Sequence, residues 1–252
     1  MEKTLKLRAV LFDLDNTLLL FEELEFFEHY TRKLYLAFED LMSPQEFSQR
    51  LIRSTQMMVK NNGEMTNGDF FIKDFANGTK ADEKVLWQRF ANFYENEFEQ
   101  FQPLMKPLNG ARDVILYTKQ QGLKVVIASN PMFPTNVQLV RLRWAGLADI
   151  QFDLITSVEN MTFVKPRLEY YQQICEKINV KPEFCMMVGN DAFNDMIASK
   201  IGMKTFLTTD SDQISIELSR ELAKNTKLEM LAPDYKGALK DLITVINQLT
   251  SL

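Results

Sequence analysis

The chain has 252 residues, enough for one large domain or two modest ones around a buried core. Apolar residues make up 46%, charged residues 25%, and the formal net charge is -5; this excludes a disordered chain and, with no Lys/Arg block, argues against nucleic acid as a partner. No apolar run approaches the ~18 residues of a membrane span, Met1 to Lys6 lacks a signal-peptide core, and Cys175 and Cys185 are too few for a disulfide scaffold, so a cytoplasmic protein without membrane contact is expected.

Leu7 to Phe12 is an apolar run ending at Asp13, and it predicts a strand buried on both faces of a parallel sheet. From Leu18 to Gln102 the sequence predicts helices and no strand. Phe21, Leu24, Phe27, Tyr30, Leu34, Phe38 and Leu41 step by three or four, which is helical spacing. Ser43-Pro44-Gln45-Glu46 reads as a capping box with Pro at the first helical position, and it opens a second helix. Asn67-Gly68-Asp69 opens a short third helix, and Leu86, Phe90, Phe93 and Phe98 mark a fourth. Twelve of the 19 Phe fall in this block, so they are expected to fill a helical core, with a few lining a pocket. Pro103 to Pro107 reads as the return linker.

Beyond it, strand and helix alternate. Strands are predicted at Val125 to Ala128, Leu154 to Thr156, Cys185 to Val188 and Thr205 to Leu207. Helices are predicted at Gly110 to Gln121 (closed by Gly122), Asn136 to Ala145, Arg167 to Ile178 and Asp195 to Lys200. Tyr235 to Leu249 is expected to be an amphipathic helix on the sheet. The predicted fold class is α/β: a Rossmann-like, doubly wound parallel sheet core over 1–17 and 106–252, with an inserted all-helical domain over 18–105.

The chemistry centres on Phe12-Asp13-Leu14-Asp15-Asn16-Thr17. Two carboxylates two residues apart follow a buried strand, where open α/β sheets bind ligands. An ionised Asp suits nucleophilic attack on phosphorus, and a second acid suits proton transfer to the leaving alcohol and from water. A divalent cation would reduce the repulsion between phosphate and carboxylate, which calls for further acids. Val188-Gly189-Asn190-Asp191-Ala192-Phe193-Asn194-Asp195 supplies them after another apolar strand. Ser129-Asn130 ends a third strand and offers a hydroxyl and backbone N–H groups to phosphate. Lys165 precedes a helix and offers a point charge.

In order, Asp13-Leu14-Asp15-Asn16-Thr17, Ser129, Lys165-Pro166 and Gly189-Asn190-Asp191 with Asp195 resemble the motifs of the haloacid dehalogenase (HAD) superfamily, over about Leu7 to Leu207. The helical block resembles that family's C1-type cap. The resemblance implies Asp13 as nucleophile and Mg²⁺ ligand, and Asp15 as acid/base with its carbonyl on the metal. It implies Thr17, Ser129, Asn130 and Lys165 around the phosphate, with Thr17 steadying its loop. Asp191 and Asp195 would complete the metal site. Family members place that ligand at the position of either Asn190 or Asp191, and charge favours Asp191.

The implied activity is Mg²⁺-dependent hydrolysis of a small phosphomonoester, a small-molecule partner. A phosphomutase on the same core and a non-catalytic phosphate-binding regulator are the alternatives. Dehalogenases of the family lack the acid at Asp15, and phosphonatases need a cap lysine. Lys33, Lys60, Lys73, Lys80 and Lys84 stand in the cap without a supporting motif. His29, the one histidine, falls on the first cap helix, away from chemistry. The sequence carries no signal for oligomeric state.

Overall fold

The computed structural model describes residues 6–211 and 231–250; Met1 to Leu5, part of the leader reading, lie outside the described residues. The sheet has six strands: β1 (Ala9–Phe12), β4 (Lys124–Ile127), β5 (Leu154–Ile155), β6 (Cys185–Gly189), β7 (Lys204–Thr208) and β8 (Tyr235–Gly237). Their order is β5-β4-β1-β6-β7-β8, and every neighbouring pair is parallel.

Side-chain alternation along these strands divides the core between two faces. Val10, Phe12, Val125, Ile127, Met186 and Val188 face one way, against helix α5 (Ala111–Gln120) and helix α8 (Leu242–Thr250). Ala9, Leu11, Val126, Cys185 and Met187 face the other, against helix α7 (Leu168–Ile178). Both faces are covered, so the strands read as continuous apolar runs. Phe12 pairs with Ile127 and Val188, so the loops after β1, β4 and β6 open side by side at the carboxyl edge.

The insertion carries α1 (Glu23–Tyr35), α2 (Pro44–Met57), α3 (Asn67–Ala76) and α4 (Glu83–Asn96). Their shared core is aromatic: the Phe38 ring centroid lies 5.0 Å from Phe47 and 4.8 Å from Phe90, and Phe75 lies 5.1 Å from Phe90. The insertion is tied back to the core at α3, where Asn67 N donates to Met161 O (2.8 Å) and Gly68 N to Val158 O (2.9 Å).

Several local expectations need correction. The stretch said to hold no strand begins with β2 (Leu19–Leu20), paired antiparallel with β3 (Lys106–Pro107) inside the supposed linker. The first helix ends at Tyr35, not Leu41; Phe38 and Met42 continue into the core from turns, while Leu24 and Leu41 are exposed. Ser43 caps α2 by accepting from Glu46 N (3.2 Å), but the Glu46 carboxylate bonds Arg50 instead of completing a capping box. Asp195 precedes a 3₁₀ run, Met196–Ile201, rather than opening an α-helix. The tail begins as β8, and only Leu242–Thr250 is α-helical. Helix α6 (Thr135–Trp144) lies where expected.

Candidate active site

β1 delivers Asp13 to the carboxyl edge, where its N–H donates to Val188 O (2.8 Å). The loop that follows is closed on Leu14, whose carbonyl accepts from Leu18 N (2.9 Å) and Leu19 N (3.0 Å). Asn16 sits at φ 52°, the left-handed region that Asn tolerates. Its amide donates to Glu23 Oε1 (3.1 Å) and accepts from Phe21 N (3.1 Å), which ties the loop to α1. Thr17 Oγ1 donates to Asn190 Oδ1 (3.2 Å) and accepts from Asn190 N (3.1 Å). This exchange joins the loops after β1 and β6, and it occupies the Asn190 side-chain oxygen.

Lys165 Nζ stands between two carboxylates, donating to Asp13 Oδ1 (2.8 Å) and Asp195 Oδ1 (2.6 Å). All three groups are buried. Burial works against the ammonium, but Asp13 and Asp195 hold it well above the usual lysine range. Burial pushes the Asp195 carboxyl up to about 7; Lys165 opposes that rise, and Asp13 and Asp191 add to it. Asp195 Oδ2 also accepts from Asp191 N (3.1 Å). A Cβ at Gly189 would lie 2.0 Å from that same oxygen, so glycine is required for the carboxylate to sit there. Asp191 accepts from Phe193 N (2.8 Å), Asn194 N (3.0 Å) and Asn194 Nδ2 (2.6 Å), which fixes its carboxylate at the start of the loop after β6.

Asp15 meets a residue that the sequence reading missed. The Arg141 guanidinium, carried inward by α6, makes an ion pair with Asp15 Oδ1. Arg141 is 1% exposed, donates to Gln138 Oε1 (2.9 Å) and lies 5.2 Å from the Phe133 ring centroid. Burial pulls it down to about 10, with Asp13 opposing, so it remains cationic at neutral pH. The sequence held no clear signal for it: only the structure shows Val137, Gln138, Arg141 and Leu142 buried along one side of α6, where Gln and Arg are rarely found.

Asp13, Asp15, Asn130, Lys165, Asp191 and Asp195 line one cavity of about 250 Å³ between the strand ends and the inserted helices. Thr17 and Ser129 are fully buried. The Thr17 hydroxyl serves the loop contact above. The Ser129 carbonyl accepts from Thr156 Oγ1 (2.6 Å) and Tyr170 OH (2.9 Å), while its hydroxyl has no partner among the described residues. His29 does not line the cavity.

The donor set suits a hard divalent cation. Three carboxylates (Asp13, Asp191 and Asp195) accompany one ammonium, so the cluster offers oxygen ligands and net negative charge. Among the described residues no three acids converge as a ready-made metal cage. Mg²⁺ needs none, because it takes one or two carboxylates and keeps several waters. No helix among the described residues is long and apolar enough to cross a membrane.

Comparison with known proteins bears on the family and the fold. A family model for haloacid dehalogenase-like hydrolases matches residues 7–201. The pyrophosphatase PpaX of Bacillus cereus is 23% identical over 175 residues, covering 68% of this chain and 74% of its own. Among solved structures, a HAD phosphatase from Thermococcus onnurineus has a TM-score of 0.57 at 20% identity, covering 95% of this chain and 98% of its own. The L-2-haloacid dehalogenase from Xanthobacter autotrophicus reaches 0.54 at 20% identity, covering 96% and 98%. Backbone likeness therefore spans phosphatase and dehalogenase alike and shows the fold alone.

Proposed function

The chain belongs to the haloacid dehalogenase-like hydrolases, and on that premise we propose that it is a Mg²⁺-dependent phosphatase acting on a small phosphomonoester through an aspartyl-phosphate. The observation that carries the reading is the buried Asp13–Lys165–Asp195 cluster, with Asp15 on the same cavity. Residues 1–17 and 106–252 form the catalytic core in this proposal, and 18–105 the cap. Two buried cysteines without a disulfide support a cytoplasmic setting.

Asp13 attacks phosphorus, and the bond to the leaving alcohol breaks as Asp15 protonates its oxygen. Asp15 then takes a proton from water, which attacks the phosphoryl group on Asp13 and frees phosphate. Lys165 orients Asp13 and balances phosphate charge. Asn130 and the unpartnered Ser129 hydroxyl satisfy phosphoryl oxygens, and Thr17 holds its loop against Asn190. Asp13, the Asp15 carbonyl, Asp191 and Asp195 would hold Mg²⁺, which when bound neutralises charge between phosphate and carboxylate. Arg141 fixes the direction of Asp15. Asp15 and Asp191 both favour phosphate chemistry over dehalogenation.

The test is release of phosphate from a panel of phosphomonoesters, with and without Mg²⁺. Wild type is expected to turn over at least one ester only with the metal, and Asp13→Asn none. Equal release by both proteins would reject the reading.

A further inference from the structure

The acids and Lys165 occupy only one end of the cavity. Most of the rest is walled by rings and apolar chains from the inserted helices and from the loop after β4, Phe27, Phe71, Trp87, Tyr94, Met132 and Phe133 among them, with Thr55 the uncharged hydroxyl that α2 adds. The charged side chains on the cavity outside the phosphate end are Glu23 and Arg141. Both are engaged, Glu23 by the Asn16 amide (3.1 Å) and Arg141 by Asp15. The tyrosine hydroxyls on these walls satisfy each other, with Tyr30 and Tyr94 oxygens 2.7 Å apart. Burial pushes Tyr94 up to about 12 and holds Tyr30 well above the usual tyrosine range, so both stay neutral.

A leaving group rich in hydroxyls would lose water here and find few partners in exchange. A second phosphate would bring negative charge toward Glu23, where Lys165 and Arg141 are already paired with carboxylates. A flat apolar ring, by contrast, exchanges water for edge and face contacts with aromatic walls. At about 250 Å³ the cavity falls just below the roughly 300–1,000 Å³ of sites for drug-sized ligands, so it suits one ring rather than an extended dinucleotide. We propose that the substrate is a phosphomonoester whose alcohol carries a single aromatic or equally apolar ring, and that pyrophosphate and polyol phosphates are poor substrates. This rests on the phosphatase reading above and adds the substrate class.

Two alkyl esters with similar leaving oxygens test it: 2-phenylethyl phosphate and glycerol 3-phosphate, with pyrophosphate as a third substrate, all with Mg²⁺. The expected kcat/KM for the phenylethyl ester exceeds both others by about tenfold or more, the scale at which an apolar pocket discriminates. Trp87→Ala and the gentler Phe71→Leu are each expected to lower the ratio of phenylethyl to glycerol ester within the same protein, so that any loss of folded enzyme cancels. Calorimetric titration with 2-phenylethylphosphonate and 2,3-dihydroxypropylphosphonate makes the same comparison without turnover. Failure to hydrolyse any ester would reject the phosphatase reading, while the phosphonate pair would still decide the pocket. Equal or tighter binding of the dihydroxypropyl compound, or equal or faster turnover of glycerol 3-phosphate or pyrophosphate, would overturn the proposed substrate class.

Discussion

The cavity has a floor and a roof built by different physics. The floor is made of strand ends, where Asp13, Lys165, Asp191 and Asp195 hold charge in a buried place by pairing it. The roof is made of helices whose aromatic side chains pack on each other and leave a hollow. A charged floor tolerates almost no substitution, because each group is another's partner. An aromatic roof tolerates exchange at the cost of shape. Floor changes should therefore stop turnover of every ester, and roof changes should re-rank esters.

The sharpest way to break this contrast is Asp13→Asn. Its expected effect is loss of turnover by about 10⁴-fold or more, the scale seen when a covalent nucleophile is removed, with the same proportional loss on every ester in steady-state assays. Next comes Lys165→Met, which leaves Asp13 and Asp195 facing each other unpaired in a buried site. Turnover should fall to background, and stability should fall by about 3–5 kcal/mol, read as a lower urea midpoint. Mg²⁺ should recover part of that stability; full wild-type stability without metal would show the ammonium to be dispensable.

Gly189→Ala is a geometric test of the same floor. Its new Cβ would meet the Asp195 oxygen at 2.0 Å, so the carboxylate or the strand must shift. A stability loss of about 1–3 kcal/mol accompanied by lost activity is expected, measured by thermal melts beside turnover. Arg141→Met keeps most of the buried volume and removes the partner of Asp15, which is partly exposed. The fold should survive while kcat falls by about 10²-fold through misdirection of the acid/base, with KM little changed. A change in KM alone would assign Arg141 to ester binding instead.

The floor was legible in the sequence because a carboxylate directly after a buried apolar run is conspicuous. The order of Asp13, Ser129, Lys165 and Asp191 then matches loops that the parallel sheet brings to one edge. Arg141 was not legible, because an Arg on a helix is usually solvated, α6 has no clear apolar face in its sequence, and only its buried register shows otherwise. The roof was half legible: sequence predicts that Phe fills a helical core but cannot tell Phe38 and Phe75, which are fully packed, from Phe27 and Phe71, which face the hollow. β2 and β8 escaped because two or three residues carry too little alternation to read, and their pairing depends on partners far along the chain. The first helix was read too long because Phe38 keeps helical spacing while reaching the core from a turn, where its N–H donates to Tyr35 O (2.7 Å).

The account depends most on Asp13 as the atom that receives phosphate. An acid quench during turnover of a hydrolysed ester with Mg²⁺, followed by peptide mass spectrometry, tests this directly. The predicted result is one phosphoryl group on the peptide carrying Asp13, absent in Asp13→Asn. Phosphate release that continues unchanged in Asp13→Asn, with no phosphoryl group on that peptide in wild type, would contradict it.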